Sequence, residues 1–112
     1  MNEFLLLFRR DYKTREVQPS PEQLNEHLQH WQQWFGKLAE QGKLARKIQR
    51  WDGLGRVMTR GESATDGPYA EIKESIGGMI IINAESYQQA EDIARECPIF
   101  ELNGTVEIRM GL

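Results

Sequence analysis

Thr65-Asp66-Gly67-Pro68-Tyr69-Ala70-Glu71-Ile72-Lys73-Glu74-Ser75-Ile76-Gly77-Gly78 runs directly into the most apolar strand of the chain, Met79 to Ile82. Asp-Gly-Pro fixes a tight corner. Gly67 supplies backbone freedom, and Pro68 locks its own φ while pushing Gly67 toward extended or turn geometry. Asp66 has a structural role available to it, because a turn aspartate bonds the backbone two residues on. Glu71 and Lys73 alternate with Ile72, as in an extended segment with one exposed side. Gly77-Gly78 serves the strand start, as a bulge or a close backbone approach. It is no phosphate loop, since no suitable helix pattern follows. Gly61 to Ser75 therefore reads as a long connection, and Gly78 to Ala84 as a buried strand.

Upstream, Phe4-Leu5-Leu6-Leu7-Phe8 is a short uninterrupted apolar run, the pattern of another buried strand. Ser20-Pro21-Glu22-Gln23 opens a helix with a capping-box pattern and proline at its first position. Leu24, Leu28, Trp31, Phe35 and Leu38 recur at helical spacing, and Gly42 supplies a stop. From Leu44 to Arg60 the apolar residues surround an Asp52-Gly53 turn signal, giving one strand or two folded as a hairpin. Downstream, Ser86-Tyr87-Gln88-Gln89 fits a second capping box, with Ala90, Ile93 and Ala94 facing inward. Thr105 to Met110 alternates, with Val106, Ile108 and Met110 on one face. The order β-α-β-β-α-β is that of a ferredoxin-like α+β sandwich, with two helices on one face of an antiparallel sheet.

The length of 112 residues suits one domain spanning 1–112, with a core but not a generous one. A mean hydropathy of −0.62 leaves limited apolar surface to bury, which favours burial between subunits. No apolar run approaches membrane-spanning length, and no cleavage pattern follows Phe4–Phe8, so a cytoplasmic protein without membrane association is expected. The single cysteine, Cys97, excludes an intrachain disulfide and reads as a small buried hydrophobe ahead of Pro98. A net charge of −3 argues against a dedicated nucleic-acid binder. Lys43, Arg46, Lys47, Arg50, Arg56 and Arg60 nevertheless form a basic stretch, read first as a solvated face and next as contacts for an anionic small ligand. Nucleic acid comes third, because no aromatic-rich single-strand motif accompanies the charges.

His30 and Trp34 lie one helical turn apart on the flank of the apolar stripe, where a side chain borders both core and cleft. Histidine titrates near neutrality and transfers protons readily. The bland alternative is a half-exposed helix histidine with no role. His27 and His30 are three apart, but no third ligand stands nearby, so no metal or other cofactor is expected.

Taken in order, Asp66-Gly67-Pro68-Tyr69, Glu71-x-Lys73-Glu74, Gly77-Gly78, Cys97-Pro98 and Val106-Glu107-x-Arg109 resemble the YCII-related family. The likeness is to the branch named for its Asp-Gly-Pro-Phe motif, with Tyr69 in the phenylalanine place. It extends over Phe4–Phe8, His30, Trp34, Gly42 and Ala90. The resemblance implies a homodimer in which two sheets pair face to face as a dimeric α/β barrel. It also implies a His–Asp acid–base pair in a cleft, falling on His30 and Asp66. Trp34 and Tyr69 are then apolar walls, and Lys73 or Arg109 anchors an anionic ligand. Two functions are expected to compete: a small-molecule site with acid–base chemistry, and a non-catalytic ligand-binding, regulatory or dimerisation module.

Overall fold

A computed structural model describes residues 1–12, 14–52, 55–61, 65–66 and 76–112, with only the backbone for 65, 66, 76 and 77. Among these residues the elements are β1 (Asn2–Arg9), α1 (Pro21–Glu40), β2 (Arg56–Val57), β3 (Thr65–Asp66), β4 (Ile76–Ala84), α2 (Tyr87–Ala94) and β5 (Thr105–Met110). A 3-10 turn, Pro98–Leu102, joins α2 to β5.

The central strand is β1. It pairs antiparallel with β4 on one side and β5 on the other, so the sheet order is β4-β1-β5. Leu44 extends the free edge of β4 by a single antiparallel bridge to Ile82. Two backbone bonds hold it, Ala45 N–H to the Ile81 carbonyl at 2.9 Å and Asn83 N–H to the Lys43 carbonyl at 2.8 Å. This is the α+β ferredoxin-like arrangement, with the strand after α1 reduced to one bridge. The pairing register shifts between Phe8 and Arg9, where Phe8 faces Gly78 and Arg9 faces Ile76. Gly77 is the extra residue, so the double glycine marks a bulge as its sequence suggested.

Two expectations for the middle of the chain are corrected. The Asp52-Gly53 signal does not organise a hairpin among the described residues. Arg56–Val57 pairs instead with Thr65–Asp66, Arg56 opposite Asp66. Asp66 thus belongs to a short strand immediately before Gly67, rather than to an irregular connection.

Both ends of α1 follow from local chemistry. The Ser20 hydroxyl accepts from Gln23 N–H at 3.2 Å, while the Gln23 side chain accepts from Ser20 N–H at 2.9 Å. At the other end Gly42 takes φ 69°. Its N–H donates to Ala39 and that of Lys43 to Leu38, at 3.1 and 2.8 Å. That pair of bonds closes the helix as a Schellman motif, which needs a left-handed residue at this point. Within α1, Gly36 is exposed, and a Cβ built on it meets nothing within 4 Å. Gly36→Ala is expected to stabilise the fold by roughly 0.5–1 kcal/mol through helix propensity, read as a higher urea midpoint.

The core lies between the helices and one face of the sheet. Phe4, Leu6 and Phe8 of β1 and Ile80, Ile82 and Ala84 of β4 meet Trp34 and Leu38 of α1 and Ala90, Ile93 and Ala94 of α2. Cys97 and Ile99 close it from below. The alanines of α2 keep that helix close to the strands. Cys97 is buried, and burial pushes its thiol up to about 12, as suits a structural cysteine and not a nucleophile.

The apolar stripe of α1 is shifted from its expected place. His27, Trp34 and Leu38 are the buried residues, with Trp31 and Phe35 partly so, whereas Leu24 and Leu28 are exposed. The first half of α1 faces a cleft instead of the sheet, so its leucines form a rim.

Leu5, Leu7, Met79 and Ile81 share the opposite sheet face, since Leu5 pairs with Ile81 and Leu7 with Met79. Leu7 is buried there and the other three are half-buried. Arg9, Glu107 and Arg109 flank them, with Glu107 bonded to both arginines. Among the described residues no helix is long and apolar enough to cross a membrane.

Candidate functional site

The side chains with chemical potential converge on Glu101, in the 3-10 turn after Cys97-Pro98. Proline opens that turn and Asn103 ends it at φ 60°, which fixes where the Glu101 side chain departs. His27 and His30, three residues apart on α1, approach this one carboxylate.

His30 Nδ1 lies 2.9 and 2.7 Å from the two Glu101 oxygens. The carboxylate only accepts, so Nδ1 carries the hydrogen and donates. Nε2 is 3.9 Å from Glu26 Oε1, too far for a hydrogen bond. The ring is 39% exposed.

His27 is only 5% exposed and is held differently. Trp31 Nε1 donates to its Nε2 at 2.8 Å. An indole N–H cannot accept, so Nε2 is the bare nitrogen and Nδ1 carries the hydrogen. That Nδ1 is 3.4 Å from Glu101 Oε1, an attraction without full hydrogen-bond geometry. Burial lowers the His27 pKa, with Glu101 opposing. Protonation would also expel the Trp31 hydrogen bond. The folded protein therefore keeps His27 neutral, while an unfolded histidine gains its proton near pH 6.5. His27 stabilisation is complete above that pH and is lost as pH falls toward the folded value. Urea midpoints measured from pH 7 to pH 5 are expected to fall less steeply in His27→Gln; identical slopes would contradict this.

Two hollows lie on either side. The smaller, about 340 Å³, is lined by His30, Gln33, Trp34, Lys37, Glu96 and Glu101 among others. Lys37 and Glu96 form an ion pair of 2.8 Å at its edge. The larger, about 610 Å³, opens between the first half of α1, the end of β1, the start of β4 and residues 48–51. The two share no lining residue. Among the described residues no group of three His, Cys, Asp or Glu side chains is placed to hold a metal ion.

The residues singled out in the sequence are placed as follows. His30 and Trp34 do line one hollow, although Trp34 is a core residue whose Nε1 is buried without a partner. Arg109 is bonded to Glu107 on the opposite sheet face, and the structure does not bring it to His30. Asp66 is described by its backbone alone, so the expected contact of its carboxylate with His30 lies outside the described residues, as do Tyr69 and Lys73. Glu101 was missed by sequence reasoning. It stands 71 residues from His30, and no periodicity or motif ties the two.

An antiparallel sheet with both helices on one face defines a ferredoxin-like α+β protein. The family model of the YCII-related domain matches residues 4–110, and the chain belongs to that family. No curated protein matches its sequence.

Proposed function

We propose that the protein is a small-molecule-binding homodimer whose acid–base group is His30, with Glu101 in the role that the resemblance assigns to Asp66. The observation that carries this reading is the paired contact of His30 Nδ1 with both Glu101 oxygens. A carboxylate on Nδ1 fixes the tautomer, leaves the Nε2 lone pair for a substrate proton, and stabilises the imidazolium that results. The smaller hollow offers an apolar edge from Trp34 and the polar groups of the Lys37–Glu96 pair, which suits a small polar compound.

The apolar strip Leu5, Leu7, Met79 and Ile81 supports sheet-to-sheet pairing as a dimeric barrel, with Arg9, Glu107 and Arg109 at its rim. Sedimentation is expected to give a dimer at micromolar concentration and a monomer in Ile81→Arg. The motif Asp66-Gly67-Pro68-Tyr69 supports placement in the Asp-Gly-Pro-Phe branch, and the lone unpaired Cys97 suits a reducing cytoplasm.

Small carboxylates and carbonyl compounds screened by thermal stabilisation test the site. A ligand whose affinity falls at least tenfold in His30→Ala, turned over with a bell-shaped pH profile, is the expected result. The same binding without turnover would leave the non-catalytic module standing. Ligands that bind His30→Ala as well as the parent protein would overturn the site.

A further inference from the structure

Among the described residues, no carboxylate neutralises a charge held in the larger cleft. Arg10 is only 9% exposed. Its Nη1 donates to the Asp11 carbonyl and to Gln18 Oε1, both at 3.2 Å, and its guanidinium stacks over the Tyr12 ring at 4.0 Å. All three partners are neutral. Among the described residues, no carboxylate lies within ion-pair distance of Arg10 or of Arg50 across the cleft. A buried guanidinium is normally matched by an anion, because its desolvation is otherwise uncompensated.

The walls have a second character. Phe8, Trp31 and Phe35 line the cleft from the sheet and α1, and Trp51 stands at its mouth, 55% exposed. Exposed Leu24, Leu28 and Ile48 continue this apolar rim. A volume of about 610 Å³ lies within the range of small-molecule sites, which combine apolar walls with a few converging polar groups. The neutral His27 ring, fixed by Trp31, adds a wall without adding charge.

We propose that this cleft is a second binding site, separate from the His30 hollow, for a flat aromatic carboxylate. The ring lies against Trp31 and Trp51, and the carboxylate meets Arg10 and Arg50. The basic stretch from Lys43 to Arg60 thereby gains a specific role at Arg50. Arginine suits the task, since its planar fork matches a carboxylate in two parallel bonds.

Calorimetric titration with 2-naphthoate and with neutral 2-naphthylmethanol tests the proposal. Saturable one-to-one binding of the anion is expected, at least tenfold tighter than that of the alcohol. Arg50→Glu and Trp51→Ala, both at exposed positions, should each weaken it at least tenfold, and His30→Ala should leave it unchanged. Absence of binding, equal affinity for the two probes, or indifference to Arg50→Glu would overturn the site. Loss of binding in His30→Ala alone would place the anion in the other hollow, refuting this inference while supporting the His30 site.

Discussion

Replacing Phe4 by alanine is expected to cost about 3–5 kcal/mol of stability, the range for truncating a fully buried phenylalanine. Phe4 is 0% exposed at the centre of β1, paired with Ile82 on one side and Met110 on the other. Its ring packs edge-on against Tyr87 at a centroid distance of 5.1 Å, tying the start of α2 to the sheet. The Tyr87 hydroxyl in turn accepts from Met110 N–H at 3.0 Å, so the cavity opens where three elements meet. Urea unfolding measures the effect, and the loss should appear as a lower midpoint with an unchanged slope. A loss below about 1 kcal/mol would mean that this site collapses freely.

Gly104→Ala is expected to destabilise by about 1–3 kcal/mol or more, the range for overpacking a filled interior. A Cβ at this position meets Ile99 Cγ1 at 2.4 Å, Arg9 O at 2.6 Å and Ile99 Cδ1 at 3.0 Å. The isoleucine can yield, but the β1 carbonyl is anchored in the sheet. Adding Ile99→Ala to Gly104→Ala should therefore recover only part of the overpacking, and a double-mutant cycle isolates that part. Gly111→Ala is the milder comparison, since its nearest contact is Glu3 O at 3.3 Å. Equal losses at the two glycines would contradict the packing around Gly104.

Local chemistry carried most of the fold into view. Phe4–Phe8, the Ser20–Gln23 cap, Gly42 and the alternation of Thr105–Met110 each obey rules that act within a few residues, and each element stands where those rules place it. Ser86 is a partial case: it caps Gln89 N–H at 3.2 Å, but the Gln89 side chain turns to Glu85 N–H at 2.6 Å. The shifted stripe of α1 was not legible, because which helix face is buried depends on where the sheet ends beneath it. Leu24 and Leu28 extend past that limit and border the cleft.

The site was less legible for the same reason. His30 and Trp34 could be picked out on one helix flank, yet the carboxylate that meets His30 comes from a turn after α2. Arg10 gave no signal either. It follows a strand of five apolar residues as one of two adjacent arginines, and Tyr12 and Gln18, which fold over it, are not marked by any local pattern.

The account turns on which carboxylate holds His30, and long-range 1H–15N correlation of its ring reads this directly. For the neutral ring the Nδ1–H tautomer is expected. Its signals should shift in Glu101→Ala and stay in place in Asp66→Asn. An Nε2–H tautomer, or signals that ignore Glu101→Ala and move in Asp66→Asn, would contradict the assignment of Glu101 as the partner of His30.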